Sequence, residues 1–415
     1  MKTRKEIIYA HKDKYQKSTK KERGQLLNSI CESTGLSRDR AARLLREEKT
    51  REKIDLKKEN RGRKPKYNAE VIKALNKIWG ILDFACGKRL KEGIKPLIEA
   101  LERHDEMVFN PEIKSKLFDI SAASIDRLLA SHKKELAFKG KSTTKPGTLL
   151  KKNIPLRLGT QWNDAIPGYV EIDLVAHCGD TTAGEYVNTL DVTDICTGWT
   201  ETYAVLNKAQ IHVFNALITI ESNLPFKYHG IDSDNGSEFI NDHLYKYCEN
   251  NNICFTRSRP YQKNDNCHVE QKNWAIVRRN IGYNRYEGIK ATKLLNEYYH
   301  LLRYYTNFFL PQTKIISRTR KDSKIIKKYQ IPKTPYQRIL ESDIISESIK
   351  KELKVLYLTL NPLSIKRDMI KILENLEKLA IPSYHSRKVI TPNGVSALVI
   401  THNNSKNIEL NKIYR

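Results

Sequence analysis

From Tyr169 to His177 apolar side chains alternate with the rest. Val170, Ile172 and Leu174 fall on one side, and Glu171, Asp173 and Val175 on the other. A period of two predicts a strand with one face buried. Two more stretches, Glu185 to Val192 and Trp199 to Val205, read the same way, and Ala209 to Ser222 carries helical spacing. Next come a strand ending at Ser233, a helix from Phe239 to Glu249, the strand Ile253 to Thr256 and a helix from about Asn266 to Gly282. The order β-β-β-α-β-α-β-α predicts a mixed five-stranded sheet with helices on its faces.

Upstream the pattern is helical throughout. Leu26, Leu27 and Ile30 recur at helical spacing. The turn Ser33-Thr34-Gly35-Leu36-Ser37 follows, and then a run from Arg38 to Glu48 with Ala41, Ala42, Leu44 and Leu45 inward and Ser37 as N-cap. Helix, glycine turn and capped helix is a helix-turn-helix pattern over residues 1–60, with Arg38, Arg40 and Arg43 projecting from the second helix toward DNA. Before it, residues 1–20 read as a frayed arm or a solvated first helix. Residues 61–68 are a basic linker, and an Arg61-Gly62-Arg63-Lys64 segment can also lie in a minor groove. Residues 69–138 predict a second helical domain, with stretches near Ala69–Leu82, Leu90–Arg103 and Ser121–Lys134. It is either another helix-turn-helix, with Ser124 and Arg127 toward DNA, or a packed spacer. Residues 139–160 form a linker, 161–285 hold the sheet, and 286–415 form a mixed α/β basic region. That region contains an aromatic helix around Tyr298–Tyr305, a basic hairpin around Lys321-Asp322-Ser323 and two helices near Ser342–Leu358 and Leu363–Leu379.

Charge narrows the partners. Lys plus Arg number 74 against 48 for Asp plus Glu, a formal net charge of +26 that calls for a polyanion. No apolar run approaches the roughly 18 residues of a membrane span, and no charged-then-apolar leader opens the chain. DNA is therefore the expected partner, with no membrane, and a prokaryotic cytoplasm beside the nucleoid is the expected place. The seven cysteines are scattered without a C-x-x-C pair and read as inert buried thiols.

The chemistry sits on three acids. Asp173 is mid-strand. Asp234 ends a strand and opens the tight turn Asp234-Asn235-Gly236, and Glu270 lies on the last helix of the sheet region. With Val170-Glu171-Ile172-Asp173, Asp234-Asn235-Gly236 and Glu270, residues 165–285 resemble the catalytic core of DDE insertion-sequence transposases and retroviral-type integrases. The 35 residues between Asp234 and Glu270 match that family's D,D-35-E interval. The resemblance implies a ribonuclease H-like fold, with Asp173, Asp234 and Glu270 as catalytic residues holding two Mg²⁺, or Mn²⁺. It also implies a transposase that cleaves element ends and joins their 3′-hydroxyls to target DNA, as a homo-oligomer assembled on DNA. A domesticated DNA-binding regulator and a ribonuclease H-like nuclease without joining are the alternatives.

Other residues take subsidiary places. Two carboxylates about 4 Å apart repel by roughly 4 kcal/mol at an effective dielectric near 20, which an oxygen-loving cation relieves. Glu171, Asp191, Asp232 and Asp265 rank below the three, with Asp191 as a supporting partner and Asp232 able to touch the cluster. On the Glu270 helix, Asn273 falls beside the site, Arg278 within reach of phosphate, Trp274 in the core, and Lys272 and Arg279 on the far side. Tyr261, Gln262 and Lys263, in the loop before that helix, are expected to touch the scissile strand. His177 and His268 are expected to be structural.

Overall fold

The computed structural model describes residues 2–46, 66–135, 166–234, 236, 238–258, 267–321, 324–381, 389–390 and 396–397. Arg61, Arg63, Lys64, Tyr261, Gln262 and Lys263 lie outside the described residues. The chain divides into two compact units, Met1–Lys66 and Tyr67–Arg415.

In the first unit α1 (Lys2–Lys17), α2 (Lys20–Thr34) and α3 (Arg38–Arg46) enclose Ile8, Tyr15, Leu27, Ile30, Ala41 and Leu45. The polar opening segment is thus a packed helix, because Ile8 and Tyr15 supply it with an apolar side. Glu22 accepts from the Thr19 N–H at 2.7 Å and from its hydroxyl at 2.8 Å, fixing the start of α2. Gly35 ends α2 at φ 65°, a conformation that costs a side chain strain, and its N–H reaches the Cys31 carbonyl. Ser37 follows at the cap position of α3, its carbonyl accepting from Ala41 N–H.

The second unit opens with α4 (Ala69–Ile81), α5 (Gly87–Arg103), α6 (Pro111–Phe118), α7 (Ala122–Leu128) and α8 (Ala130–Glu135). Helix α6 is absent from the expected set. It is short, starts at Pro111 under an Asn110 cap, and buries only Leu117 in full, so its periodicity is faint. This helical segment shares its unit with everything downstream. Arg89 Nε donates to the Pro311 carbonyl at 2.5 Å, Arg367 pairs with Glu106 at 2.8 Å, and Leu363 joins the helical segment's core.

The sheet follows the expected order: β1 (Tyr169–Ala176), β2 (Asn188–Asp194), β3 (Thr200–Val205), α9 (Gln210–Glu221), β4 (Gly230–Ser233), α10 (Asp242–Asn250) and β5 (Cys254–Arg257). Its spatial order is β3-β2-β1-β4-β5, with β1, β2 and β3 antiparallel and β4 and β5 parallel to β1. Strand β2 begins later than its alternation suggests. Arg285 collects the carbonyls of Cys178, Thr181, Ala183 and Glu185 and wraps the preceding loop around its guanidinium.

The period-two pattern assigns the faces correctly. Val170, Ile172, Leu190 and Val192 pack with Val213 and Leu217 of α9 and Leu244 of α10. Each such buried aliphatic side chain contributes about 1.5–3 kcal/mol. The opposite face, which carries Glu171, Asp173 and Asp191, lies beneath the helix of Glu270.

That helix, α11, is α-helical over Cys267–Lys272, π-helical over Asn273–Arg278 and α-helical again over Arg279–Ile281. Then come α12 (Gly288–Tyr304, with a π turn Tyr305–Phe309), the hairpin β6 (Ile315–Lys321) and β7 (Lys324–Tyr329), and α13 (Pro335–Glu341), α14 (Glu347–Thr359) and α15 (Pro362–Glu377). Helices α11, α12 and α15 share one core with Val175 of β1 and with Val187 and Trp199, which directly precede β2 and β3.

Candidate active site

Strand register brings the first two acids together. Ile172 on β1 pairs with Ser233 on β4 in parallel, so Asp173 and Asp234, one residue on, are lateral neighbours. Asp173 is pinned at both oxygens: Oδ1 accepts from Leu174 N–H at 2.8 Å, and Oδ2 from Asn273 Nδ2 at 2.6 Å. Asp234 Oδ1 accepts from Gly236 N–H at 2.8 Å, which closes the turn. A Cβ on Gly236 would lie 2.8 Å from that same oxygen, so glycine is what lets the turn fold so closely.

The electrostatics are those of crowded acids. Burial raises the Asp173 carboxyl to about 7, and the charges of Asp234 and Glu270 push the same way. Burial and the charge of Glu238 also raise Asp234, against the Gly236 N–H. Among the described residues no three His, Cys, Asp or Glu side chains stand close enough to hold an ion, and Glu270 is exposed on its helix. The fit is therefore in chemistry: the donors are all carboxylate oxygens, suited to Mg²⁺ or Mn²⁺, and their mutual repulsion is what a cation relieves.

The neighbours divide into expected and unexpected. Asn273 meets Asp173 as its helical position suggests, with its own Oδ1 buried and unpartnered. Asp191 lies opposite Asp173 on β2. Asp232, one pleat along β4 from Asp234, is buried and accepts from the Thr256 hydroxyl at 2.5 Å. His177 is structural: buried, pushed down to about 3 by burial and by the charge of Arg278, and bonded to Thr189 at 2.7 Å. Of His268 only the backbone is described, on α11.

Two readings are corrected by the π-helical stretch. Each π turn takes an extra residue, which re-phases everything after Lys272. Ile276 and Val277 are both buried, while Trp274 is 58% exposed and not in the core. Arg278 turns inward, donates to the Ala176 carbonyl at 2.8 Å and lies over the Tyr283 ring, so it does not stand out toward phosphate. In the first unit Arg40 and Arg43 are exposed on α3. Arg38 is exposed too, but it reaches back to Asn28 and Gly24 of α2. On α7, Arg127 donates to the Ser124 hydroxyl at 3.2 Å.

Glu171 and Lys272 turn out to hold Glu270 in place. Glu171, fully buried, accepts from Val269 N–H at 3.0 Å, one residue before Glu270. Lys272 Nζ, two residues after it, donates to the Gly198 carbonyl at 3.2 Å and to Gln312 Oε1 at 2.7 Å, and faces the charge of Asp191. The alternation of β1 already put Glu171 on the face of Asp173. No local signal reveals Lys272, whose partners come from three distant segments. Glu171→Ala should cost about 1–3 kcal/mol in chemical denaturation, because a buried N–H loses its acceptor. Glu171→Gln, which keeps an acceptor oxygen, should cost less than half of that, and equal losses would remove the acceptor role.

No family model matches the chain. A protein of Sinorhizobium fredii (strain NBRC 101917 / NGR234), described as uncharacterized protein y4rM, is 37% identical over 340 residues, 81% of this chain and 95% of that protein. The chain belongs to the same family as that protein. Among solved structures, the catalytic core domain of BIV integrase aligns over 42% of this chain and 95% of its own, at 14% identity and a TM-score of 0.28. The HTLV-2 integrase catalytic core domain, in complex with magnesium in a dimeric form, aligns over 36% of this chain and 93% of its own, at 15% identity and a TM-score of 0.26. No helix among the described residues is long and apolar enough to cross a membrane.

Proposed function

We propose that the chain is a metal-dependent polynucleotidyl transferase acting on DNA, a transposase that cuts the ends of its element and joins them to a target. The observation that carries this reading is the side-by-side placement of Asp173 and Asp234 on parallel strands, with the charge of Glu270 acting on Asp173. Asp173, Asp234 and Glu270 would hold the divalent metals. When bound, such ions activate an attacking oxygen and stabilise a leaving oxygen in phosphoryl displacement.

The chain's own residues supply rigidity and placement. Asp173 is immobilised by its strand and by Asn273, Asp234 by its turn, and Glu270 by Glu171 on one side and Lys272 on the other. Exposed Trp274, on the same helix as Glu270, offers a flat apolar surface to an unstacked base. The net charge of +26 suits a polyanion, and exposed Arg40 and Arg43 on α3 suit duplex recognition.

The test uses the purified chain, Mg²⁺ and DNA carrying the flanks of its own gene. Strand cuts that leave 3′-hydroxyls, followed by products in which those ends are joined to a second duplex, are the expected result. Cutting without joining would leave a nuclease, and binding without either would leave a regulator.

A further inference from the structure

The hairpin β6–β7 has no role in the site described above. It is a sheet of two strands, paired from Ile315↔Tyr329 to Lys321↔Lys324, with a bulge between Ile315 and Ser317 that adds twist. Two-stranded sheets are marginal in water unless something covers them. Here Ile316 is 61% exposed and Ile326 53%, and Ser317, Thr319, Lys327 and Lys328 are exposed as well. Lys327 and Lys328 are consecutive and so project from opposite faces. Each face thus carries an exposed cation, an arrangement that disfavours burial of either against an apolar core.

The base of the hairpin, by contrast, is fastened. Lys314 Nζ donates to the Ile195 carbonyl at 2.7 Å and also to that of Cys196. Gln312 and Lys333 bridge the two ends, and Gln312 Oε1 is the acceptor of Lys272, two residues from Glu270. In sequence, residues 315–329 carry Arg318, Arg320, Lys321, Lys324, Lys327 and Lys328 against a single acid, Asp322.

We infer that β6–β7 is a duplex-DNA-binding ribbon, held by its base beside the helix of Glu270. Strands of this length extend about 20 Å, and the major groove, about 12 Å wide, admits a two-stranded ribbon with phosphates along both walls. Charge complementarity selects this occupant. A second copy of the chain, itself strongly basic, would set like charges against each other. The inference rests on the reading that DNA is the partner.

Lys327→Ala with Lys328→Ala, in the full chain, tests it by titration of an arbitrary-sequence duplex at several salt concentrations. If both lysines neutralise phosphates, the slope of log affinity against log salt becomes shallower by about 1.8. Affinity at 0.1 M salt then falls roughly eightfold per contact. Lys327→Arg with Lys328→Arg should keep the wild-type slope, which separates lost charge from lost structure. Binding by the wild type with an unchanged slope in the alanine variant overturns the ribbon and leaves the catalytic reading standing. An unchanged slope with an altered sedimentation mass assigns the hairpin to self-association and also overturns it. No duplex binding by the wild type at any salt overturns both readings.

Discussion

Asp173→Asn and Asp234→Asn should each abolish Mg²⁺-dependent cutting and joining, a loss of at least about 10³-fold, or about 4 kcal/mol in the barrier. Affinity for DNA should stay within about twofold. Both substitutions preserve shape: an amide oxygen can still accept from Leu174 N–H or Gly236 N–H, and at position 173 a flip of the Asn273 amide lets its unpartnered Oδ1 accept from the new NH2. What disappears is the negative charge that a hard cation requires. Removing Asp173 also removes a repulsion, so the variant should be as stable as the wild type in metal-free buffer, or more so. Glu270→Gln should lose activity in the same way, but with little change in metal-free stability, because Glu270 is exposed. The Asp173 carboxyl, raised to about 7, holds a proton below that pH. Cation uptake by the wild type, followed by calorimetry, should therefore weaken as pH falls below 7. Joining activity that survives in all three variants would remove the metal-site reading, whatever the state of DNA binding.

The legible part of this site was whatever a single strand or turn encodes. Alternation in β1 placed Asp173 and Glu171 on the face opposite Val170 and Ile172, because strand geometry leaves no other choice. Asp234 followed from an acid directly before an Asn-Gly turn. The helix of Glu270 was legible as a helix, and Asn273 as its inward neighbour. Beyond Lys272 the prediction depended on a constant 100° per residue, and the π-helical stretch breaks that constancy. Hence Trp274 was expected inside and is outside, while Arg278 was expected outside and lies against Ala176 and Tyr283. Contacts assembled from several distant segments, such as the loop around Arg285, leave no periodic trace at all.

Lys272 should be the most costly surface-type residue to replace, although a lysine in a polar helix looks dispensable. Lys272→Met is expected to destabilise the second unit by about 1–3 kcal/mol, the cost of leaving buried acceptors without their donor. Two causes act together. The Gly198 carbonyl and Gln312 lose a donor, and Asp191, fully buried with Oδ2 already unpartnered, loses the nearby positive charge. Burial raises the Asp191 carboxyl and lowers the Lys272 amine, while each charge pulls the other back. Without Lys272 the Asp191 carboxyl rises further, above its value in the unfolded chain. Such a group favours the folded state only while protonated, so the penalty should grow as pH rises and shrink toward pH 5. Asp191→Asn in the Lys272→Met background should recover on the order of 1–3 kcal/mol at pH 7, a coupling expected of groups whose charges act on each other. Additive losses at pH 7, independent of pH, would mean that Lys272 acts through its two hydrogen bonds alone. Glu270 would then be held by Gln312 and Gly198, with Asp191 a bystander beneath Asp173.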